Sequence, residues 1–314
     1  MNDVRFGVNL MPNGWDGQPP MDGGALLARR KRLLDRIASA GMDHVATGDH
    51  VMFQGGLGSD GLTDAASMVT ANDTLGVYLA VYLLVLRHPL LVARQLLTVA
   101  QLAPGRLTLG VGIAGDDRRE VAACGVDPTT RGRRMDEALD IVRQLIAGQP
   151  VSYEGEFFSL DEAALLPVLD EPIPIVVGGR SEAALRRAGR FGDGWLGIWT
   201  SAGRCAEAIA AVEAHGKEAG RDVAWQHGMS IWCGFGADRA EARACVAPVM
   251  EGFYRLPFTS FERHVPHGTP AEVAEYVAPY IDAGCTSLNF IAYADSAEAG
   301  IDAAAEVRQI LGSR

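Results

Sequence analysis

The sequence predicts an α/β fold, a (β/α)8 TIM barrel with loop insertions at its C-terminal face. Two observations carry this. Apolar strand-like runs alternate with amphipathic helical stretches from end to end, and no Pro/Ser-rich linker or low-complexity tract interrupts them. Strands each followed by a helix imply a parallel sheet with crossover helices. About eight such units without a break close most naturally into a barrel, with an open doubly wound sheet as the alternative. A single domain over residues 1–314 is expected, since barrels commonly run past about 250 residues as one unit.

Each element has its own signal. Val4 to Leu10 alternates as a strand, and a helix over about 25–40 ends at Gly41, a C-cap residue. His44 to Gly48 gives the second strand, followed by a glycine-rich loop at Gln54-Gly55-Gly56-Leu57-Gly58. Leu75 to Leu86 reads as a long third strand, and His88-Pro89 opens the helix to Leu102. Arg106 to Gly112 is the fourth strand, and a helix occupies about 129–147. An inserted hairpin is expected at Val151 to Leu160. The unbroken apolar run Ile173 to Gly178 is a strand buried on both faces. Strands near Trp195 to Trp199, Trp225 to Gly234 and Thr286 to Tyr293 complete the set, with a helix at about 202–219. Thr269-Pro-Ala-Glu272 has the spacing of a capping box with Pro at the first helical position.

A formal net charge of -11 argues against a nucleic-acid partner, which needs clustered Lys and Arg. The one basic run, Arg29 to Arg32, sits in a helical apolar pattern and reads as a solvated face. Five cysteines, far apart and without C-x-x-C spacing, suit a reducing compartment and support neither zinc nor a disulfide framework. The first ten residues lack a charged stretch followed by an apolar run, and no uncharged apolar run reaches membrane-spanning length. A cytoplasmic location and no membrane partner are therefore expected. The only lysines, Lys31 and Lys217, leave little for Schiff-base chemistry.

In a barrel the reactive groups lie at the C-terminal ends of strands and in the loops that follow. Asp49-His50, after the second strand, is the most reactive pair there: histidine titrates near neutrality and a carboxylate can orient the ring. On spacing alone a loop-capping Asp beside a packed His is the more ordinary reading of the pair. Gly110 to Gly115 matches G-x-G-x-x-G but lacks the helix start and second-strand acid of a dinucleotide fingerprint. Those glycines read better as room for a flat ligand or a neighbouring side chain. Gly178-Gly179-Arg180-Ser181 ends a buried strand where a helix begins, so it is either a phosphate site or a plain N-cap. Trp199 fits core packing or a substrate pocket, and Phe53 belongs to a loop suited to a lid. A second lid segment is expected over Phe253 to His267. His264 and His267 lack the partners of a metal site, so no metal is expected.

With these segments placed, nearly the whole chain resembles the luciferase-like monooxygenase family of flavin- and deazaflavin-dependent barrels. The segments that carry the resemblance are Gly41-Met-Asp-His-Val-Ala-Thr-Gly-Asp-His50, Leu86-Arg-His-Pro-Leu90, Gly105-Arg-Leu-Thr-Leu-Gly-Val-Gly112 and Arg131-Gly-Arg-Arg-Met-Asp-Glu137. Val177-Gly-Gly-Arg-Ser-Glu-Ala-Ala184, Gly192-Asp-Gly-Trp195 and Gly268-Thr-Pro-Ala-Glu-Val273 complete it. The resemblance implies a flat ring across the barrel mouth, above a non-proline cis peptide that should fall at Ala80-Val81. It implies phosphate contacts at Gly112-Ile113 and at Gly178, Gly179, Arg180 and Ser181. It makes His50 the proton donor or acceptor and Asp49 a cofactor contact. The implied cofactor is coenzyme F420, with FMN as the alternative, and the implied partners are a small-molecule substrate, a separate flavin or F420 reductase and a second copy in a homodimer. Three functions follow: an F420-dependent oxidoreductase, a two-component monooxygenase using reduced FMN, and a flavin-binding protein without turnover. The relatives that oxidise sugar phosphates carry a Glu directly after the fourth-strand glycines; here Ala114-Gly115 stand there and Asp116 is the nearest carboxylate.

Overall fold

The computed structural model describes residues 4–12, 21–54, 56–115 and 117–312. Gly55 of the glycine-rich loop and Asp116 lie outside the described residues. The chain opens with β1 (Arg5–Asn9), α1 (Gly23–Ser39) and β2 (His44–Thr47). A hairpin of β3 (His50–Phe53) and β4 (Leu57–Ser59) follows, and α2 (Gly61–Ala71) leads into β5 (Gly76–Tyr82). Next come α3 (Pro89–Leu102), β6 (Leu107–Val111), the short α4 (Arg118–Ala123) and α5 (Arg131–Ile146). The inserted hairpin, β7 (Val151–Glu154) and β8 (Ser159–Ala163), precedes β9 (Ile175–Gly178), α6 (Glu182–Phe191) and β10 (Gly194–Ile198). The remainder is α7 (Ala202–Glu218), β11 (Gly228–Phe235), α8 (Arg239–Tyr254), β12 (His267–Gly268), α9 (Pro270–Asp282), β13 (Ser287–Tyr293) and α10 (Ala297–Gly312).

The parallel strands hydrogen-bond in the order β10-β9-β6-β5-β2-β1-β13-β11, and β10 also pairs with β11, so the order returns to its start. This is the (β/α)8 barrel expected from the alternation. Two features depart from expectation. The glycine-rich loop after the second strand is a hairpin, because Phe53 turns inward and is buried while Gly58 lets its backbone lie against His50 and Val51. The third strand stops at Tyr82, and Leu84–Leu86 forms one 3-10 turn before α3. The expected caps are in place: Gly41 takes φ +77°, and Thr269 and Glu272 close a capping box.

The chain divides into two compact units. The first comprises Met1–Ala46, Leu196–Ala211 and Gln226–Arg314. Its strands place Gly7 beside both His44 and Asn289, and Asn289 beside Ser230. His44 Nε2 lies 2.5 Å from Asn289 Oδ1. Gly7 is required there, since a Cβ on it would sit 2.2 Å from the His44 ring. Cys205 and Cys285 bring their sulfurs to 3.5 Å in this unit, both as free buried thiols. The second unit, Thr47–Trp195 and Val212–Trp225, packs β5, β6 and β9 with Leu79, Leu109 and Ile175 fully buried. Its inserted hairpin is tied to α5 by Glu137, whose carboxylate accepts the amides of Glu156, Phe157 and Phe158. Among the described residues no helix is long and apolar enough to cross a membrane.

The buried histidines of the first unit predict acid sensitivity. Burial lowers both His44 and His227 from 6.5 to about 4. Between those values the unfolded chain takes up protons that the folded chain refuses, so stability falls as pH drops from about 6.5 to about 4. The loss expected is about 3 kcal/mol per histidine. Urea unfolding across this window should show it, and His44→Gln should flatten the slope; an unchanged slope would place the proton uptake elsewhere.

Candidate active site

Asp49 stands between β2 and β3 and His50 opens β3, and the two point to separate networks, as neighbours in an extended chain do. Asp49 is 1% exposed. Its Oδ1 accepts from Gly61 N at 2.9 Å and Arg87 Nη2 at 2.8 Å, and its Oδ2 from Leu83 N at 2.8 Å and Arg87 Nη1 at 2.6 Å. Four donors fill the acceptor sites of a carboxylate. Burial pushes the Asp49 carboxyl up, against the opposing pull of Arg87 and the two amides. Arg87 also reaches Asp60 at 2.9 Å and lies 4.4 Å from the centre of the Tyr82 ring. Asp49 is thus the anchor that fastens the end of β2 to α2 and to the turn after β5.

His50 belongs to Glu120. Its Nδ1 stands 2.8 Å from Glu120 Oε2, and its ring packs 4.3 Å from the ring of Phe53. Glu120 is fully buried, and its Oε1 accepts the amides of Val51 at 2.5 Å and Met52 at 3.0 Å. Burial opposes its ionisation, yet the His50 contact and the two amides outweigh this and hold the carboxyl below its usual range. Asp117 adds a further tie by accepting Gln54 N at 3.1 Å. The short helix α4 therefore grips the β3–β4 hairpin through two acids. Asp49 does not orient His50; Glu120, a residue absent from the sequence-derived set, does.

Ala80–Val81 is a non-proline cis peptide, at the bond the resemblance points to. Gly112 follows β6 beside it, and a Cβ there would stand 2.5 Å from Val81 Cγ2. The glycine thus lets the Val81 side chain lie flat against the strand-six end. Ile113 is half-buried next to it, and Ala114, at φ 54°, has its carbonyl held by Arg131 Nη1 at 2.8 Å. Gly178 and Gly179 close β9; Gly179 takes φ +129°, and its carbonyl accepts from Trp195 Nε1 at 2.7 Å. Ser181 caps α6 through Ala184 N, and Arg180 is exposed. The plain N-cap is therefore real, and the first-turn amides of a ten-residue helix remain the kind of group that receives a phosphate.

The two expected pocket residues belong to different compact units. Phe53 is 1% exposed and forms a wall against His50, so it is no part of a lid. Trp199 belongs to the other unit, with φ 50° and its ring 4.7 Å from Tyr254 and 4.9 Å from Phe261. The segment from Phe253 to His267 gives Phe258, Phe261 and Val265 to the same aromatic cluster, while Arg255, Leu256, Pro257 and Arg263 are exposed. Among the described residues, no group of three or more His, Cys, Asp or Glu is placed to hold a metal ion.

A (β/α)8 barrel with titratable groups collected at strand ends has the build of a barrel enzyme. The chain belongs to the luciferase-like monooxygenase family, whose model matches residues 4–261. An uncharacterised protein of Mycobacterium tuberculosis is 35% identical over 201 residues, 63% of this chain and 68% of its own length. The F420-dependent hydroxymycolic acid dehydrogenase of the same organism is 35% identical over 160 residues, 50% of this chain and 44% of that protein. The match thus spans under half the length of that dehydrogenase. Among solved structures, an F420-dependent secondary alcohol dehydrogenase in complex with an F420-acetone adduct superposes with a TM-score of 0.82 at 20% identity, over 98% of this chain and 99% of its own. That likeness establishes the shared fold.

Proposed function

We propose that the protein is a coenzyme F420-dependent oxidoreductase that moves a hydride between the deazaflavin ring and a small organic substrate, with His50 as proton donor or acceptor. The observation that carries this is the His50–Glu120 pair, an imidazole held on a buried carboxylate at a strand end. The F420-dependent relative at 35% identity supports the choice of cofactor.

The residues present fit a flat ring. Gly112 has no Cβ where one would collide with the side chain of Val81, the residue that follows the cis bond. Ala80, Val81, Gly112 and Ile113 would hold the ring, and Gly178, Gly179, Arg180 and Ser181 a phosphate on its tail. When bound, the deazaflavin supplies two-electron hydride transfer. In the oxidation of an alcohol His50 takes the hydroxyl proton as the carbon gives up its hydride; in reduction it returns that proton. The FMN alternative, a two-component monooxygenase with a separate reductase, is supported by the family's monooxygenase members. The proposal carries a cytoplasmic homodimer and a single functional domain with it.

Titrating the protein with F420 and with FMN, followed by ring absorbance and fluorescence, tests this. F420 should bind with Kd below about 100 μM, and Gly112→Ala should weaken it about tenfold or more by displacing Val81. Binding of FMN alone would select the alternative, and binding of neither would remove the reading.

A further inference from the structure

We infer that Glu120 is a positioning residue that fixes which nitrogen of His50 exchanges the proton: it holds the hydrogen on Nδ1 and makes Nε2 the proton acceptor. The inference rests on the proposed role of His50, but its central observation is independent of any cofactor.

Both oxygens of Glu120 have assigned tasks. Oε1 accepts two backbone amides, Val51 N and Met52 N, so only an acceptor can stand there. Oε2 faces His50 Nδ1 at 2.8 Å. An ionised carboxylate offers no hydrogen, so the bond exists only if Nδ1 donates. A neutral imidazole carries one N–H, which leaves the lone pair on Nε2. When Nε2 gains a proton, Nδ1 keeps its hydrogen on Glu120, so the ring does not have to turn. Glu120 touches neither ring nor substrate in this account; it acts through His50. The amide contacts also bind the same carboxylate to the residues following His50, so the ring and its backbone are placed by one group. Phe53 closes the ring's flank at 4.3 Å.

The geometry makes an unusual prediction for Glu120→Gln. The two amides still need an acceptor, so the new side chain must place its carbonyl oxygen at the Oε1 position. Its NH2 then faces Nδ1, which must accept, and the hydrogen moves to Nε2. The substitution should therefore invert the histidine rather than merely loosen it.

The test uses the full chain labelled with 15N-histidine and free of cofactor. Two-bond nitrogen–proton spectra distinguish the tautomers, and His50→Gln identifies the His50 signals among the seven histidines. The wild-type protein should show protonated Nδ1 and unprotonated Nε2 at a pH where the ring is neutral, and Glu120→Gln the reverse. With a turned-over substrate, Glu120→Gln should lower kcat about 100-fold while KM stays within about threefold, and Glu120→Asp should restore part of it. A wild-type ring protonated on Nε2 overturns the inference, whether or not the variant folds. So does a variant with an unchanged tautomer or an unchanged kcat. Failure of both rings to bind would remove the proposed function and leave the tautomer assignment standing.

Discussion

Replacing His50 with alanine is expected to lower kcat by about 100- to 10,000-fold, the range over which a positioned acid–base group works. Ring affinity should change far less, because the residues assigned to the ring and its phosphate, Ala80–Val81, Gly112–Ile113 and Gly178–Ser181, are left intact. The fold should survive as well: Glu120 keeps two backbone amides on Oε1, and Phe53 loses one ring neighbour. The comparison to make is kcat against cofactor Kd on any alcohol or ketone that the wild-type protein turns over. Turnover within about threefold of wild type would take His50 out of the mechanism.

The second large effect concerns stability. Arg87→Met leaves the Asp49 carboxylate buried with its two amides and no counter-charge, and breaking a buried pair in this way costs about 3–5 kcal/mol. The methionine also gives up the contact with Asp60 and the cation over Tyr82. The double variant Arg87→Met, Asp49→Asn removes both charges while keeping a carbonyl oxygen for one of the two buried amides, and should recover part of the loss. Urea unfolding of the three proteins measures this. A loss below about 1 kcal/mol for Arg87→Met would mean that the pair is solvated like a surface bridge and does not anchor β2.

The barrel was legible because its strands are written plainly. The run Ile175–Val177 is apolar without interruption, Leu107–Val111 is broken only by Thr108, and both fold as strands buried at every one of these residues. The capping signals at Gly41 and Thr269 act locally, so sequence spacing is enough to read them. The site was legible only in part. Asp49 and His50 announce themselves by residue type, but adjacency suggested that one serves the other. In an extended chain neighbours face apart, and each found its partner far along the sequence: Arg87 lies 38 residues from Asp49, and Glu120 lies 70 from His50. One signal for Glu120 was present. Asp117-Arg-Arg-Glu120 has the acid-to-acid spacing of a helix start, and α4 does begin there. Six residues between a glycine-rich stretch and Gly125-Val-Asp-Pro128 are too few for helical periodicity to show. Phe53 misled for a different reason: beside glycines it looks like a loop residue, and only its burial against His50 shows otherwise.

The close fit of Gly7 under the His44 ring also constrains how this sequence could change over descent. With histidine at 44, any side chain at 7 begins 2.2 Å from a carbon of a ring that Nε2 holds in place on Asn289. A smaller residue at 44 does not open the way, because the carbonyl oxygen of residue 44 would still lie 2.7 Å from a Cβ at 7. Position 7 is therefore closed twice, once by a side chain and once by backbone. Lineages that keep this pairing of strands should keep glycine at 7 whether or not they keep the histidine.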